Sequence, residues 1–552
     1  MKTISVSLAL SFTLILLPLF SPSQSTPQSK PLLTVAEESQ WKATSRFDDV
    51  TAFIRSLQRL SPYLRVETLA TSAEGRNIPL LVIGNPLPSP SSSLHRDNRG
   101  IIYIQANIHA GEVEGKEASL MLARDILLAP DLPYLDKLVI LIAPIFNADG
   151  NERISPENRR YQGGPEQGVG VRHNGQNLDL NRDSIKLESP ELRGLVENVL
   201  LRWDPLLLVD CHTTNGSYHQ EVVTYSWGLN PNGDAAIVAY QRDKMMPEVE
   251  AILEKKYATP TVGYGGFRDY RAPEKGWETF EPQPRYVTNY IGLRNRLSIL
   301  DENNVYADFK ARVMGNYNFL RSILDYCSTH IEEINSLVAE ADRKAVLRGI
   351  NPSDKEAFFV EYDVRPLKDP VTVLAYEIEV IPRGEGQRPE IKPTSKVNAQ
   401  TVPYFSDWVG KRGVRFPYAY AIGVPDSDLL VKLRQHGLVV EKLSEPALLE
   451  VEAFRIKELK SAERAYQGHH LNQVKGEYAV EKMEFPAGTL IIPTAQPLGG
   501  LAAYLLEPES DDGLLVWNFF DRYIVPQWSR ELQTYPVYKL LRPVNLAREI
   551  IR

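Results

Sequence analysis

Short, uninterrupted apolar runs recur at residues 78–83, 101–106, 138–143, 206–211 and 297–300. They are rich in Ile, Leu and Val, the composition of strands covered on both faces. Between them the spacing turns helical: residues 114–128 place Ala118, Met121, Leu122 and Ile126 on one face, and 189–201 and 234–256 read as helices too. This alternation predicts an α/β fold with a mixed, largely parallel central sheet flanked by helices. Residues 306–344 read as one or two long helices closing that domain.

The rest of the chain differs in character. Composition shifts near 349–354, and 355–402 is interrupted by proline, with Gly384, Pro389 and Pro393 marking loops. A short helix is expected at 426–436 and strands at 478–486 and 489–492. The expected organisation is a signal peptide at 1–25, a catalytic domain at 26–345 and a β-rich α/β accessory region at 346–552. Lys2 followed by the apolar stretch from Ile4 to Phe20, then Ser21-Pro22-Ser23-Gln24-Ser25, has the form of a cleavable export signal. A periplasmic or extracellular protein with no stable membrane span is therefore expected. No Cys follows the apolar stretch, which excludes a bacterial-type lipid anchor there. Cys211 sits in an apolar run and is expected to be a buried free thiol; its pairing with Cys327 does not follow from spacing. With 62 basic against 70 acidic residues, net charge is −8. That argues against a nucleic-acid partner bound through a broad basic surface.

Chemistry gathers at the ends of the apolar runs. His109-Ala110-Gly111-Glu112 follows one run, and His212 ends another. Two imidazoles and a carboxylate make a zinc site with an open position for water. Ligands in open α/β sheets bind beyond the carboxyl ends of the strands, where these residues sit. A further run leads through Asp301 into Glu302, and a carboxylate partly desolvated there suits a general base. Asp301 and Asn303 are its neighbours, and alternation along the sequence does not separate them. Between the ligands lie Arg172-His173-Asn174 and Leu178-Asp179-Leu180-Asn181-Arg182-Asp183. Two arginines and an amide suit an anionic substrate, and an arginine also suits a developing oxyanion. Asp179 is a candidate for orienting a ligand imidazole through its other ring nitrogen.

Other features carry less. His469-His470 reads as a surface pair in a loop, Glu509-Asp511-Asp512 as a solvated turn, and Trp517, Phe519 and Phe520 with Tyr504 and Trp528 as a small core. There is no G-x-S-x-G elbow and no P-loop.

At His109, Glu112, Arg172, Asn181, Arg182, His212 and Glu302, in that order, the chain resembles the zinc carboxypeptidases related to carboxypeptidase A, over about residues 46–330. The resemblance implies one Zn²⁺ held by His109, Glu112 and His212, with Asp179 supporting His109. It implies that Asn181 and Arg182 hold the terminal carboxylate of a peptide substrate, that Arg172 polarises the scissile carbonyl, and that Glu302 is the base. A substrate-capping tyrosine is expected at Tyr290, with Tyr264 and Tyr286 as alternatives. Gly111 stands where pancreatic-type members carry Arg, so an outer substrate contact is expected to be missing. Residues 169–174 resemble bacterial branches, which include enzymes acting on cell-wall peptides. The activity implied is that of an exported metallocarboxypeptidase. The alternatives are a zinc amidase or deacylase on cell-wall peptides or N-acyl amino acids, and a non-catalytic peptide-binding relative.

Overall fold

An eight-stranded mixed sheet organises the first part of the chain. Its strands are β1 (Leu64–Thr71), β2 (Asn77–Ile83), β3 (Gly100–Ala106), β4 (Leu138–Ala143), β5 (Leu207–Thr214), β6 (Val223–Trp227), β7 (Thr261–Gly263) and β8 (Leu297–Asn304). Their order across the sheet is β1-β2-β4-β3-β5-β8-β6-β7. The central strands β4, β3, β5 and β8 run parallel, β2 and β6 pair antiparallel to them, and β1 pairs antiparallel to β2. The computed structural model describes residues 31–88, 99–214, 216–353, 356–384, 390–525 and 534–551. The expected signal peptide and Trp528 lie outside them. Among the described residues no helix is long and apolar enough to cross a membrane.

The core strands are buried end to end because helices cover both faces. Helix α1 (Glu114–Leu128) follows β3, and α2 (Val287–Leu293) precedes β8. The long α3 (Phe309–Ile350) is one element with a kink at His330. Helix α1 is buried nearly all round, and its charged side chains persist there because each is paired. Glu117 accepts from Thr44 Oγ1 at 2.8 Å and from the Ser45 amide at 2.7 Å. Glu114 accepts from Arg312 Nε of α3 at 2.5 Å. Gly115 lets α1 approach β5: a Cβ there would lie 2.4 Å from Cys211 Cβ. Both Cys211 and Cys327 are free and buried.

Strands β5 and β8 continue past their apolar runs. The parallel register runs on through Cys211↔Asp301, His212↔Glu302 and Thr214↔Asn304. The ladder is made by backbone groups, so polar side chains can ride its last residues when one face opens onto a cleft. β6 supports the far edge of β8, pairing Thr224 with Glu302.

The C-terminal part is dominated by antiparallel strands. β9 (Ala357–Pro366), β10 (Val371–Ile381), β11 (Glu390–Val402) and β12 (Tyr404–Arg415) form long hairpin-like pairs. A seven-stranded sheet follows: β13 (Ala419–Ile422), β14 (Glu441–Leu443), β15 (Ala447–Ser461), β16 (Asn472–Phe485), β17 (Leu490–Pro493), β18 (Val537–Leu540) and β19 (Arg548–Ile550). Helix α4 (Ser427–Gln435), capped by Asp426, lies between β13 and β14. The two parts share a sheet, since β12 pairs in parallel with the short strand Trp277–Glu278. Contacts join Leu33–Arg552 into one unit.

Candidate metal centre and active-site cleft

β3 and β5 are neighbours whose following connections diverge, to β4 on one side and towards β8 on the other, so a crevice opens at their carboxyl ends. His109 and Glu112 enter it from the turn after β3, and His212 from the end of β5. Their ligand atoms all lie within 4.8 Å of one another, the one such group among the described residues. His109 Nδ1 is 3.1 Å from Glu112 Oε1, and His212 Nδ1 is 3.0 Å from Glu112 Oε2. All three side chains are buried.

The far nitrogens of both imidazoles are held by carboxylates. His109 Nε2 lies 3.0 Å from Asp179 Oδ1, and His212 Nε2 lies 2.9 Å from Asp210 Oδ2. Each ring therefore turns its Nδ1 towards a common centre, the arrangement that fixes the tautomer and raises the basicity of a metal-binding imidazole. Gln105 Nε2 donates to Asp210 Oδ1 at 3.1 Å, and Tyr103 Oη donates to Gln105 Oε1 at 3.0 Å. This buried chain ties β3 to β5. Asp210 escaped the sequence reading, although its signal was present: two residues before His212 on a strand is the same face.

The charges at the centre favour a cation. Burial works against ionisation of Glu112, yet His109 and Arg159 hold its carboxyl well below the usual range. Burial likewise opposes the charged form of His212, and Asp210 and Glu112 more than offset it, so its pKa is raised. Asp179 is held low, against burial, by His109 and Arg172. Two imidazoles and the Glu112 carboxylate are a donor set that fits a divalent zinc ion.

Glu302 lines the same cleft. Its Oε2 is buried without a hydrogen-bond partner among the described residues. Burial pushes its carboxyl up to about 8. Asp301 turns to the opposite face, where Asn316 Nδ2 of α3 donates to its Oδ2 at 2.8 Å. Strand alternation thus separates the two acids once the pleat is known.

The arginines differ in their ties. Arg172 Nε donates to Asp179 Oδ2 at 2.7 Å, leaving the outer guanidinium towards the cleft, with Nη1 3.8 Å from Glu112 Oε1. Arg182 lies over the Tyr286 ring, 4.4 Å from its centroid. The side-chain carbonyl of Asn181 accepts from the Val287 amide at 2.9 Å, and its Nδ2 lies 3.4 Å from His212 Nε2.

Two sequence expectations need correction. Tyr290 is buried away from the cleft; its hydroxyl lies 2.8 Å from His436 Nδ1 and accepts from Arg294 at 3.2 Å. The C-terminal part covers it, which local sequence does not reveal. Tyr264 and Tyr286 do line the cleft, with Phe280 between them at centroid distances of 6.0 and 5.4 Å. The expected gap at Gly111 is filled as well. Arg159 reaches in and donates to Glu112 Oε1 at 2.7 Å and to the Thr213 carbonyl at 2.9 Å. A Cβ on Gly111 would lie 2.6 Å from Arg159 Cδ and 3.0 Å from the Gly170 carbonyl oxygen. Gly111→Ala is accordingly expected to destabilise the fold by about 1–3 kcal/mol through overpacking. Denaturant unfolding measures this, and an unchanged midpoint would show that Arg159 yields freely.

The remaining sequence features settle into packing. His469 bonds Glu188, and Asp512, expected to be solvated, is buried against Arg285 and Trp517.

Three convergent candidate metal ligands, a carboxylate with one buried oxygen that has no hydrogen-bond partner among the described residues, and arginines line one cleft on the α/β sheet. Residues 50–193 match the family described as zinc carboxypeptidase. Among solved structures, it is similar to a metallo-carboxypeptidase from Burkholderia cenocepacia (19% identity, 51% of this chain and 69% of that one, TM-score 0.37). It is also similar to a Pseudomonas aeruginosa metallo-carboxypeptidase in complex with (2-guanidinoethylmercapto)succinic acid (16%, 52% and 69%, TM-score 0.37). A third is carboxypeptidase A from Helicoverpa armigera (14%, 52% and 74%, TM-score 0.38). No curated protein matches the chain.

Proposed function

We propose that this protein is an exported zinc metallocarboxypeptidase that removes the C-terminal residue of peptides. The observation that carries the reading is the convergence of His109, Glu112, His212, Glu302, Arg172 and Arg182 on one cleft of about 210 Å³. Zinc held by the two histidines and Glu112 supplies a Lewis acid that acidifies water and polarises a carbonyl.

The chain's own residues do the rest. Arg182, backed by Asn181, grips the substrate's terminal carboxylate through a planar fork of donors. That grip sets the last peptide carbonyl beside the metal ligands and within reach of Arg172. The outer guanidinium of Arg172 donates to the oxygen on which negative charge develops. Glu302 takes the proton of the attacking water and delivers it to the leaving amine. Tyr264, Phe280 and Tyr286 wall the cleft and exclude bulk water from one side.

The test compares peptides with a free C-terminus and the same peptides amidated. Free acids are expected to be cut and amides spared. Arg182→Ala is expected to raise KM for the free acids by at least about 30-fold, as when one partner of a desolvated charge pair is truncated. Equal cleavage of acid and amide by the wild-type chain would overturn the exopeptidase reading. Export is tested separately, by N-terminal sequencing of the mature protein for cleavage near residue 25.

A further inference from the structure

The loop 462–471 joins β15 to β16 in the C-terminal sheet, far along the chain from the metal ligands. At its tip, Tyr466-Gln467-Gly468-His469 forms a tight turn. The Tyr466 amide donates to the His469 carbonyl at 2.8 Å, and the His469 amide returns a bond to the Tyr466 carbonyl at 3.0 Å. Gln467 (φ 51°) and Gly468 (φ 83°) both take positive φ, the signature of a type I′ turn. A left-handed Gln is an uncommon conformation for a residue with a side chain.

Each polar side chain of this turn reaches back into one segment of the catalytic part. Tyr466 Oη accepts from Arg182 Nε at 2.9 Å. Gln467 Oε1 accepts from the Asp179 amide at 2.8 Å. His469 Nε2 lies 2.8 Å from Glu188 Oε1, and its Nδ1 lies 3.2 Å from Asn518 Oδ1. Trp517 anchors the turn from behind. Tyr466 stacks on it at 6.2 Å with a 29° interplanar angle, and His469 meets it edge-on at 5.5 Å. Trp517 is itself held by its indole N–H donating to Asp512 Oδ1 at 2.9 Å.

The donor geometry of Arg182 gives these contacts a consequence. A guanidinium has five N–H donors in a fixed fork. Tyr466 takes the Nε hydrogen, and the Asn181 carbonyl takes one from Nη1 at 2.7 Å. With the plane also held over Tyr286, the edge left for a ligand is the one formed by Nη1 and Nη2. That edge matches a carboxylate in a bidentate pair. Gln467 meanwhile fixes the backbone of Asp179, whose carboxylate holds both His109 and Arg172.

We propose that Tyr466 and Gln467 are positioning residues for the substrate's terminal carboxylate, so that the C-terminal region is a working part of the peptidase centre. Tyr466 aims the Arg182 fork, and Gln467 locks the strand of chain that carries it. The proposal rests on the carboxypeptidase reading above.

The test measures kcat and KM of the full-length zinc-loaded chain on paired free-acid and amidated peptides. Tyr466→Phe keeps the ring on Trp517 and removes the acceptor. It is expected to raise KM for free acids about 10-fold, the loss of a hydrogen bond to a charged group, with kcat within about 2-fold. Gln467→Asn keeps a residue suited to positive φ but is one methylene too short to reach Asp179. It is expected to raise KM about 3-fold with no loss of thermal stability, from a neutral hydrogen bond. Because Asn favours the turn, this variant keeps the proposal testable if Tyr466→Phe folds poorly. KM values unchanged in both variants, in a wild-type background that still discriminates acid from amide, overturn the positioning role alone. A wild-type chain that does not discriminate overturns the carboxypeptidase reading and the positioning role together.

Discussion

Glu302→Gln is expected to lower kcat by about 10²- to 10⁴-fold, the range of a lost general base, while the purified protein keeps its zinc. Gln has the same shape but cannot accept a proton. His109, Glu112 and His212 are untouched, so metal content separates lost chemistry from a lost site. Oε2 of Glu302 has no partner among the described residues, so the substitution breaks no hydrogen bond at that atom. The pH profile sharpens the test. Burial raises this carboxyl to about 8, while His212, Arg159 and Arg172 pull it down against the opposing push of Glu112. A divalent cation beside it favours the carboxylate further, so the working pKa lies below that value. A base acts only when ionised, so kcat/KM should climb as pH rises through this pKa. That acidic limb should vanish from the residual activity of Glu302→Gln. A variant with near-wild-type turnover would remove Glu302 from the mechanism.

His212→Ala is expected to abolish both stoichiometric zinc and hydrolysis, measured on one preparation by metal analysis and peptide cleavage. Two ligands remain, short of the three protein ligands a catalytic zinc site uses. Loss of the imidazole also leaves Asp210 and Glu112 buried without the group that bridges them. Asp210→Ala supplies the graded comparison. It spares every ligand but frees the far nitrogen of His212, and should weaken zinc binding about 10- to 100-fold. Full zinc affinity in Asp210→Ala would mean that the ring keeps its orientation without this carboxylate.

Much of this centre was legible in residue order. The apolar runs marked where five strands begin to within a residue, since burial on both faces demands continuous apolar character, while β5 and β8 run three and four residues further than their apolar runs. His109, Glu112, His212 and Glu302 stand where those strands end, and all four meet in the structure. Asp179, the candidate for orienting a ligand imidazole, lies against His109 Nε2 and also accepts from Arg172. What escaped was set by long-range packing. Arg159 carries no local motif, and its place follows from a space beside Gly111 that only the folded turn creates. Tyr290 sits one helical turn from residues that line the cleft, yet His436 of the C-terminal part buries it.

The amino-acid order alone determined the layered α/β frame and the ligand types, because apolar periodicity and donor chemistry are properties of neighbouring residues. Tertiary structure decided which acid at the end of β8 faces the cleft, which arginine fills the hole at Gly111, and that a turn some 280 residues downstream bonds Arg182 and Asp179. Each of these depends on the pleat of a strand or on the approach of a distant segment. Such approaches are chosen by the packing of the whole chain, and no stretch of neighbours encodes them.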